Sequence, residues 1–244
     1  MSGPGSLVST LSGRQSAKNF HSYVITEVGL GIASGRLPVG SILPNDAEMM
    51  DEYGVSRTVL REALKTLEAK GLVEARAKVG TRVLQRNRWN LFDRQVLAWI
   101  QEAGPSAAFL SSFVELRDTI ELQTAALAAQ RCSAEQLRIL FYWQQQRDFS
   151  SSLAEPYALA EFEFHRTICE ATQNPFLRAA SALIEFGVVQ AVLPRIRAGV
   201  VDFGAEKAEL YRMLSSAIGD GQTDAARNAM AAILDHDRQW ILAL

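Results

Sequence analysis

Cysteine is scarce. Cys132 and Cys169 are the only two in 244 residues; they stand 37 apart with no CxxC spacing, which excludes a disulfide scaffold and a cysteine-based zinc finger. Long apolar runs are also missing. No uncharged stretch reaches 18 residues, so nothing reads as a membrane span. Residues 1–18 are rich in Ser and Gly and lack a basic start followed by an apolar core, and they read as a loose, disordered tail rather than a secretory leader. A cytoplasmic location is expected. The chain has no GxSxG, no Ser-His-Asp spacing and no phosphate-cradling Gly loop, and it contains only three histidines. What remains is 48% apolar and 21% charged, enough for two ordinary globular modules.

The near-zero net charge of −2 hides an asymmetry. Residues 1–88 hold twelve Lys/Arg against eight Asp/Glu, and residues 89–244 hold thirteen against nineteen. The excess is densest in 57–88, with nine bases and three acids. A small basic module joined to a larger acidic one suits a nucleic-acid reader attached to a part that must not bind DNA.

Within the basic part, Phe20, Val24, Val28 and Ile32 are spaced for an amphipathic helix over 20–34. Two prolines and a glycine in Leu37–Pro44 make an extended connector. Asn45 and Glu48 form a capping-box pattern for a short helix to Glu52, followed by a turn at Gly54. Ser56 caps a third helix to about Lys70, where Gly71 stops it. That helix has an apolar stripe (Val59, Leu60, Ala63, Leu64, Leu67) and an opposite basic stripe of Arg57, Arg61 and Lys65. Two short helices around a Gly turn, with cations on the second, match helix-turn-helix geometry, and an arginine fork can pair with a guanine edge. Strand-like alternation over 72–76 and 81–85 then makes a wing whose tip offers Lys78.

The run GRLPVGSILPNDAEMMDEYGVSRTVLREALKTLEAKGLVEARAKVGTRV resembles the winged helix-turn-helix of the GntR family of bacterial transcription regulators. The resemblance implies operator contacts from Ser56, Arg57, Thr58 and Arg61, with Lys78 and Gly80 in the wing; Lys65 extends the same basic face. Where the family often has arginine, this chain has Ala47.

From Trp89 onward helix formers dominate. Helices are predicted over 90–102, 107–130, 134–150, 156–172, 175–197, 205–220 and 223–243, an all-α antiparallel bundle whose interior is the usual place for a ligand. The expected organisation is a tail over 1–18, a winged helix-turn-helix over 19–86 and an effector-binding, dimerising bundle over 87–244. The joining segment Arg86–Trp99 is the expected transmitter. On the second bundle helix Arg117, Glu121 and Thr124 share one face, opposite Phe113, Leu116, Ile120 and Leu127. Glu161, His165 and Cys169 line one stripe, and a carboxylate and an imidazole four residues apart suit either a shared metal ion or a buried ion pair. Leu137, Leu140, Phe141 and Trp143 offer an apolar face for a second copy.

The order ELRDTIELQTAALAAQR, AEFEFHRTICEATQNP, AIGDGQTDAARNAM resembles the FCD effector domain of FadR-type GntR regulators. Many of those hold a divalent metal with an aspartate and three histidines. The matching positions here are Glu161, His165, Tyr211 and Ile233, with His236 one turn further on. Two ligands are lost, so no cofactor is expected, or at most a weakly held divalent metal on Glu161 and His165. Glu161, His165, Tyr211 and Glu121 then contact the effector, and Arg117 anchors its carboxylate, unless it is spent on a salt bridge to Glu121 or another acid. Residues 86–100 also resemble the subgroup containing the galactonate operon repressor, which implies a sugar-acid effector.

The reading is therefore a mostly α, homodimeric transcription regulator, acting as a repressor on a palindromic double-stranded operator under control of a small carboxylate, with no membrane partner. Two alternatives are weighed. A fatty acyl effector needs a long apolar tunnel, at odds with so polar a cluster. A helical-bundle metalloenzyme needs about three protein ligands, and only two are supplied.

Overall fold

Helices form where the 3.6-residue period runs uninterrupted, and each stops where a glycine, proline or cap intervenes. The computed structural model describes residues 20–243; the expected tail over 1–18 lies outside them. The described chain makes two compact units, one ending at Pro105 and the other beginning at Ser106.

In the first unit α1 (Phe20–Ala33) buries Val24, Ile25, Val28 and Ile32. Both halves of the predicted capping box open α2 (Asp46–Tyr53): Asn45 Oδ1 accepts from the backbone N–H of Ala47 and Glu48 at 3.0 Å, and Glu48 accepts from Asn45 N–H at 3.0 Å. Gly54 closes the helix in the left-handed region, at φ 62°. Ser56 Oγ then accepts from Val59 N–H at 3.4 Å and starts α3 (Arg57–Ala69), which turns Leu60, Ala63 and Leu67 inward. Strands β1 (Val73–Arg76) and β2 (Gly80–Val83) pair antiparallel with Val73 opposite Val83. The Leu37–Pro44 connector does more than connect. Leu43 N–H donates to Thr81 O at 2.8 Å and Val83 N–H to Ser41 O at 2.9 Å, so the stretch lays a short bridge on the outer edge of β2.

The unit runs past residue 86, the expected end of the winged helix-turn-helix, as far as Pro105. Trp89 is buried there with its Nε1–H donating to Leu84 O at 3.1 Å, and α4 (Arg94–Ala103) packs on α1 through Val96, Leu97, Trp99 and Ile100. The Trp99 ring lies so close to Gly29 that a Cβ there would sit 2.7 Å from it. Two buried tryptophans thus tie residues 87–105 to the DNA-reading unit, although the sequence of this stretch reads as bundle helix.

The second unit contains α5 (Ala107–Arg131), α6 (Ala134–Phe149), α7 (Ala154–Ala171), α8 (Pro175–Ala179), α9 (Ser181–Arg197), α10 (Ala208–Gly219) and α11 (Thr223–Ile241). The helix expected over 175–197 breaks at Ala180, and the one expected from 205 begins as a 3-10 turn, Ala205–Lys207. Helix α5 packs on α11, α6 on α7, α10 on α11 and α9 on α7. Ala125, Ala128, Phe164, Ile168, Leu214, Met230 and Ile233 fill the space between them. Three of the four residues expected to offer a face to a second copy point inward instead: Leu140 is buried, and Leu137 and Trp143 pack on the same core. The period explains this, because 137, 140, 144 and 147 form the stripe facing the bundle. Ile139, Phe141, Tyr142 and Phe149 are the large apolar side chains left exposed on α6.

Candidate functional site

The first site is the exposed face of α3. Ser56, Arg57, Thr58, Arg61 and Lys65 are all solvent-exposed, while on the opposite stripe Leu60, Ala63 and Leu67 are buried and Val59 and Leu64 half-buried, so the amphipathic split read from the sequence is realised in space. Lys78 stands exposed at the wing tip with φ 63°, and Gly80 follows at φ 112°, a backbone angle that favours glycine. Asp46, at the start of α2, was not singled out in the sequence. Its Oδ2 lies 3.8 Å from Arg57 Nε and 3.5 Å from Arg61 Nη2. Lys65 is paired with Glu62 at 2.8 Å. These cations are therefore held by exposed carboxylates, partners that a phosphate or a base edge can displace at small cost. Ala47 is exposed and places no cation at the start of α2.

The second site lies inside the bundle, where charged side chains meet out of contact with water. On α5 Arg117, Glu121 and Thr124 are buried, Phe113 is buried one turn before Arg117 rather than on the opposite side, and Leu116 is partly exposed. Arg117 Nε donates to Glu121 Oε1 at 2.5 Å, and its Nη1 lies 3.0 Å from Asp237 Oδ2 on α11. His165 Nδ1–H donates to Glu121 Oε2 at 2.5 Å, and its Nε2 lies 2.9 Å from the Tyr211 hydroxyl. Tyr211 in turn donates to Glu161 Oε1 at 2.6 Å. The ammonium of Lys207 closes the network, donating to Glu161 and, at 2.6 Å, to Asp237 Oδ1. Arg147 lies against it, its guanidinium 3.8 Å from the Tyr211 ring centre and its Nη2 donating to Tyr157 at 2.9 Å.

Each of the five candidate residues Arg117, Glu121, Glu161, His165 and Tyr211 is in this one cluster. Lys207, Asp237 and Arg147 were missed. A weak signal for each exists in the sequence: Lys207 stands four before Tyr211, Asp237 four after Ile233, and Arg147 on the stripe of Leu140 and Gln144, all on faces that turn inward. Cys169 shares the stripe of Glu161 and His165 but packs into an apolar cluster, and burial together with the Glu121 charge pushes its thiol up to about 12. It is a core residue. His236 does not lean into the network; its Nε2 pairs with Glu206 at 2.9 Å.

Burial alone would keep these carboxyls protonated. It pushes Glu121 up, but Arg117 and His165 outweigh it and hold the carboxyl at about 2. Burial likewise opposes ionisation of Glu161, and Lys207 and Arg147 overcome it, leaving it below the usual carboxylate range. Burial disfavours the Lys207 ammonium, yet Asp237 and Glu161 raise it above its ordinary value. Tyr211, pushed well up by burial and then by Glu161, stays a neutral phenol. The network is thus a set of fixed charges joined through one neutral hydroxyl.

These residues do not fit the divalent metal that the family resemblance implies. Ile233 is fully buried and has no donor atom, and an ammonium already sits on Glu161. Among the described residues no three His, Cys, Asp or Glu side chains come together as a metal site. Beside Arg117 and Glu121 lies a small crevice lined by Phe113, Leu116, Ile120, Leu183 and Ile184.

Residues 24–83 match the family described as bacterial regulatory proteins, gntR family, and residues 112–236 match the FCD domain. The chain is 33% identical over 225 residues to an uncharacterised HTH-type transcriptional regulator, YieP, of Escherichia coli, covering 87% of this chain and 92% of that protein. It is 28% identical to the galactonate operon transcriptional repressor of Escherichia coli over 86% of this chain and 92% of that one. It is 32% identical over 140 residues to the Uxu operon transcriptional regulator of the same organism, 57% of this chain and 52% of that one. The solved structure of Lar from Listeria monocytogenes shares the fold, with a TM-score of 0.65 at 19% identity over 94% of this chain and 100% of that one. A basic winged helix-turn-helix followed by a helical bundle with a charged interior, matched along nearly its whole length by transcription regulators, places the chain in the gntR family of bacterial regulatory proteins, as a DNA-binding transcription regulator with an FCD effector domain.

Proposed function

We propose that this regulator is a cytoplasmic repressor whose operator affinity is set by a small carboxylate, a sugar acid, bound in the FCD bundle. The observation that carries the reading is the buried cluster, in which Arg117 and Lys207 are neutralised by the protein's own carboxylates. An incoming carboxylate exchanges with Glu121 or Asp237 on the Arg117 fork instead of filling an empty hole. Such an exchange loosens ties between α5, α7 and α11, so the bound and free bundles differ in structure, which any change in operator affinity requires. Glu161, His165 and Tyr211 supply hydrogen-bonding groups for the hydroxyls of a sugar acid. The relatives named for the galactonate and Uxu operons support the same chemical class. The crevice beside Arg117 has a volume of only about 10 Å³, against the roughly 300–1,000 Å³ of ordinary ligand pockets, so entry needs the network to open. The polar cluster of Arg117, Glu161, His165 and Tyr211 suits a small polar ligand rather than an acyl chain, which needs an apolar lining.

At the other end, Arg57, Thr58 and Arg61 read the major groove from the N-terminal half of α3, Lys65 extends the same face, Ser56 caps the helix, and Lys78 and Gly80 carry the wing to the phosphate backbone. As a homodimer the protein reads a palindromic operator with symmetric half-sites.

A thermal-shift screen of aldonic, uronic, dicarboxylic and hydroxy acids, with and without EDTA, tests the effector class. A ligand at 100 times its Kd stabilises the folded state by about 2.7 kcal/mol. A sugar acid that raises the melting temperature equally in EDTA is the expected result. No response to any acid would remove the small-carboxylate reading.

A further inference from the structure

We propose that Lys207 is a built-in cation that takes the place of a metal ion in this bundle, joining the carboxylates that an ion would otherwise join. Its ammonium has no solvent exposure and donates to Glu161 on α7 and to Asp237 on α11, while its own backbone lies in the 3-10 turn that leads into α10. One charged atom thereby links three elements remote in sequence, as a metal ion links its ligands. The Tyr211 ring, centred 5.6 Å from the ammonium, covers a further side of it.

The surrounding charges agree. Glu121, Glu161 and Asp237 bring three carboxylates to the cluster, and Arg117, Lys207 and Arg147 bring three cations. A divalent ion added to this set would meet the ammonium across shared carboxylate oxygens and would be repelled by it. Ile233 is consistent with the same arrangement: with no donor needed, the position four residues before Asp237 is free to be apolar core.

Removing the ammonium should therefore create the metal site that the wild-type chain lacks. Without Lys207 the carboxylates of Glu161 and Asp237 that it bridged remain buried around the vacated position, two hard oxygen donors that suit a divalent ion completed by water. The test uses the full-length protein and three measurements that involve neither operator nor effector, so it stands apart from the sugar-acid reading. Purified wild-type protein is expected to hold substoichiometric metal by elemental analysis, with a melting temperature unmoved by EDTA or by Zn²⁺, Mn²⁺ or Ni²⁺ chloride. Lys207→Ala is expected to melt lower than wild type and to recover on addition of one of those ions. Lys207→Gln, which keeps most of the side-chain volume, covers the case in which the alanine variant fails to fold. A stoichiometric ion in the wild type that EDTA removes together with stability would overturn the proposal whatever the variants do. Folded variants that bind none of the three ions would also overturn it.

Discussion

Arginine and lysine meet carboxylates in both units, with opposite consequences. On α3, Arg57 and Arg61 share Asp46 at 3.8 and 3.5 Å, with both arginine side chains more than half exposed. In the bundle, Arg117 and Lys207 share Asp237 at 3.0 and 2.6 Å with almost no exposure. Water screens the first set, so each pair contributes about 0–1 kcal/mol and its partners are exchangeable. The second set has lost its water, so each member depends on the others, and removing one leaves a charge with nothing to solvate it. The same chemistry is therefore a holding arrangement for a DNA-binding face in one unit and a structural lock in the other. A ligand that reaches the lock can move far more free energy than one that reaches the surface pairs.

The largest expected effect follows from breaking the lock. Asp237→Ala takes from both Arg117 and Lys207 one of their two carboxylate partners and should cost about 3–5 kcal/mol in denaturant unfolding of the bundle, with the winged helix-turn-helix unit keeping its own hydrogen-exchange protection. A loss below about 1 kcal/mol would mean the pairs behave as surface pairs do.

Acid provides the next contrast. Glu121 is held at about 2 against an ordinary value of about 4.3. Its folded-state value is depressed, so its stabilising contribution is complete above the ordinary value and disappears as pH falls from about 5 toward 2. Glu161 shifts in the same direction and adds to the loss. Hydrogen exchange at a series of pH values should show the bundle weakening through this window. The exposed pairs of α3 contribute little to the change.

Arg61→Ala should weaken operator binding by about 1–3 kcal/mol in a fluorescence-anisotropy titration while leaving the melting of both units in place. Asp46→Asn should do the reverse on a smaller scale. By releasing Arg57 and Arg61 it should tighten DNA binding by less than about 1 kcal/mol. Weaker binding in that variant would mean that Asp46 orients the two arginines for the operator.

The reading unit was the more legible one because its signals are local. A capping box, a Gly turn and an amphipathic helix each sit within a dozen residues, and all appear where the spacing puts them. Three things escaped. The Leu37–Pro44 edge bridge depends on β2, which comes much later in the chain. The attachment of 87–105 to the first unit depends on Trp99 meeting Gly29, a contact that helical periodicity cannot specify. The inward turn of Leu137 and Trp143 depends on which face of α6 meets α7 and α10. In the bundle, family positions led to Glu161, His165 and Tyr211. Lys207 and Asp237 were invisible to that route because neither stands at one of the four positions that the family's metal ligands occupy. An isolated lysine at the end of a loop reads as surface until three helices close over it.

The account rests on communication between the buried network and the DNA-binding face, and one titration tests it directly. Operator affinity is measured with and without a saturating sugar acid, on wild-type protein and on Arg117→Lys, which keeps the charge but loses the fork. The wild type should change its operator Kd by a factor of about 5–150, and the variant should show little or no change at the same acid concentration. An acid that binds the bundle yet leaves wild-type operator affinity untouched would contradict the account.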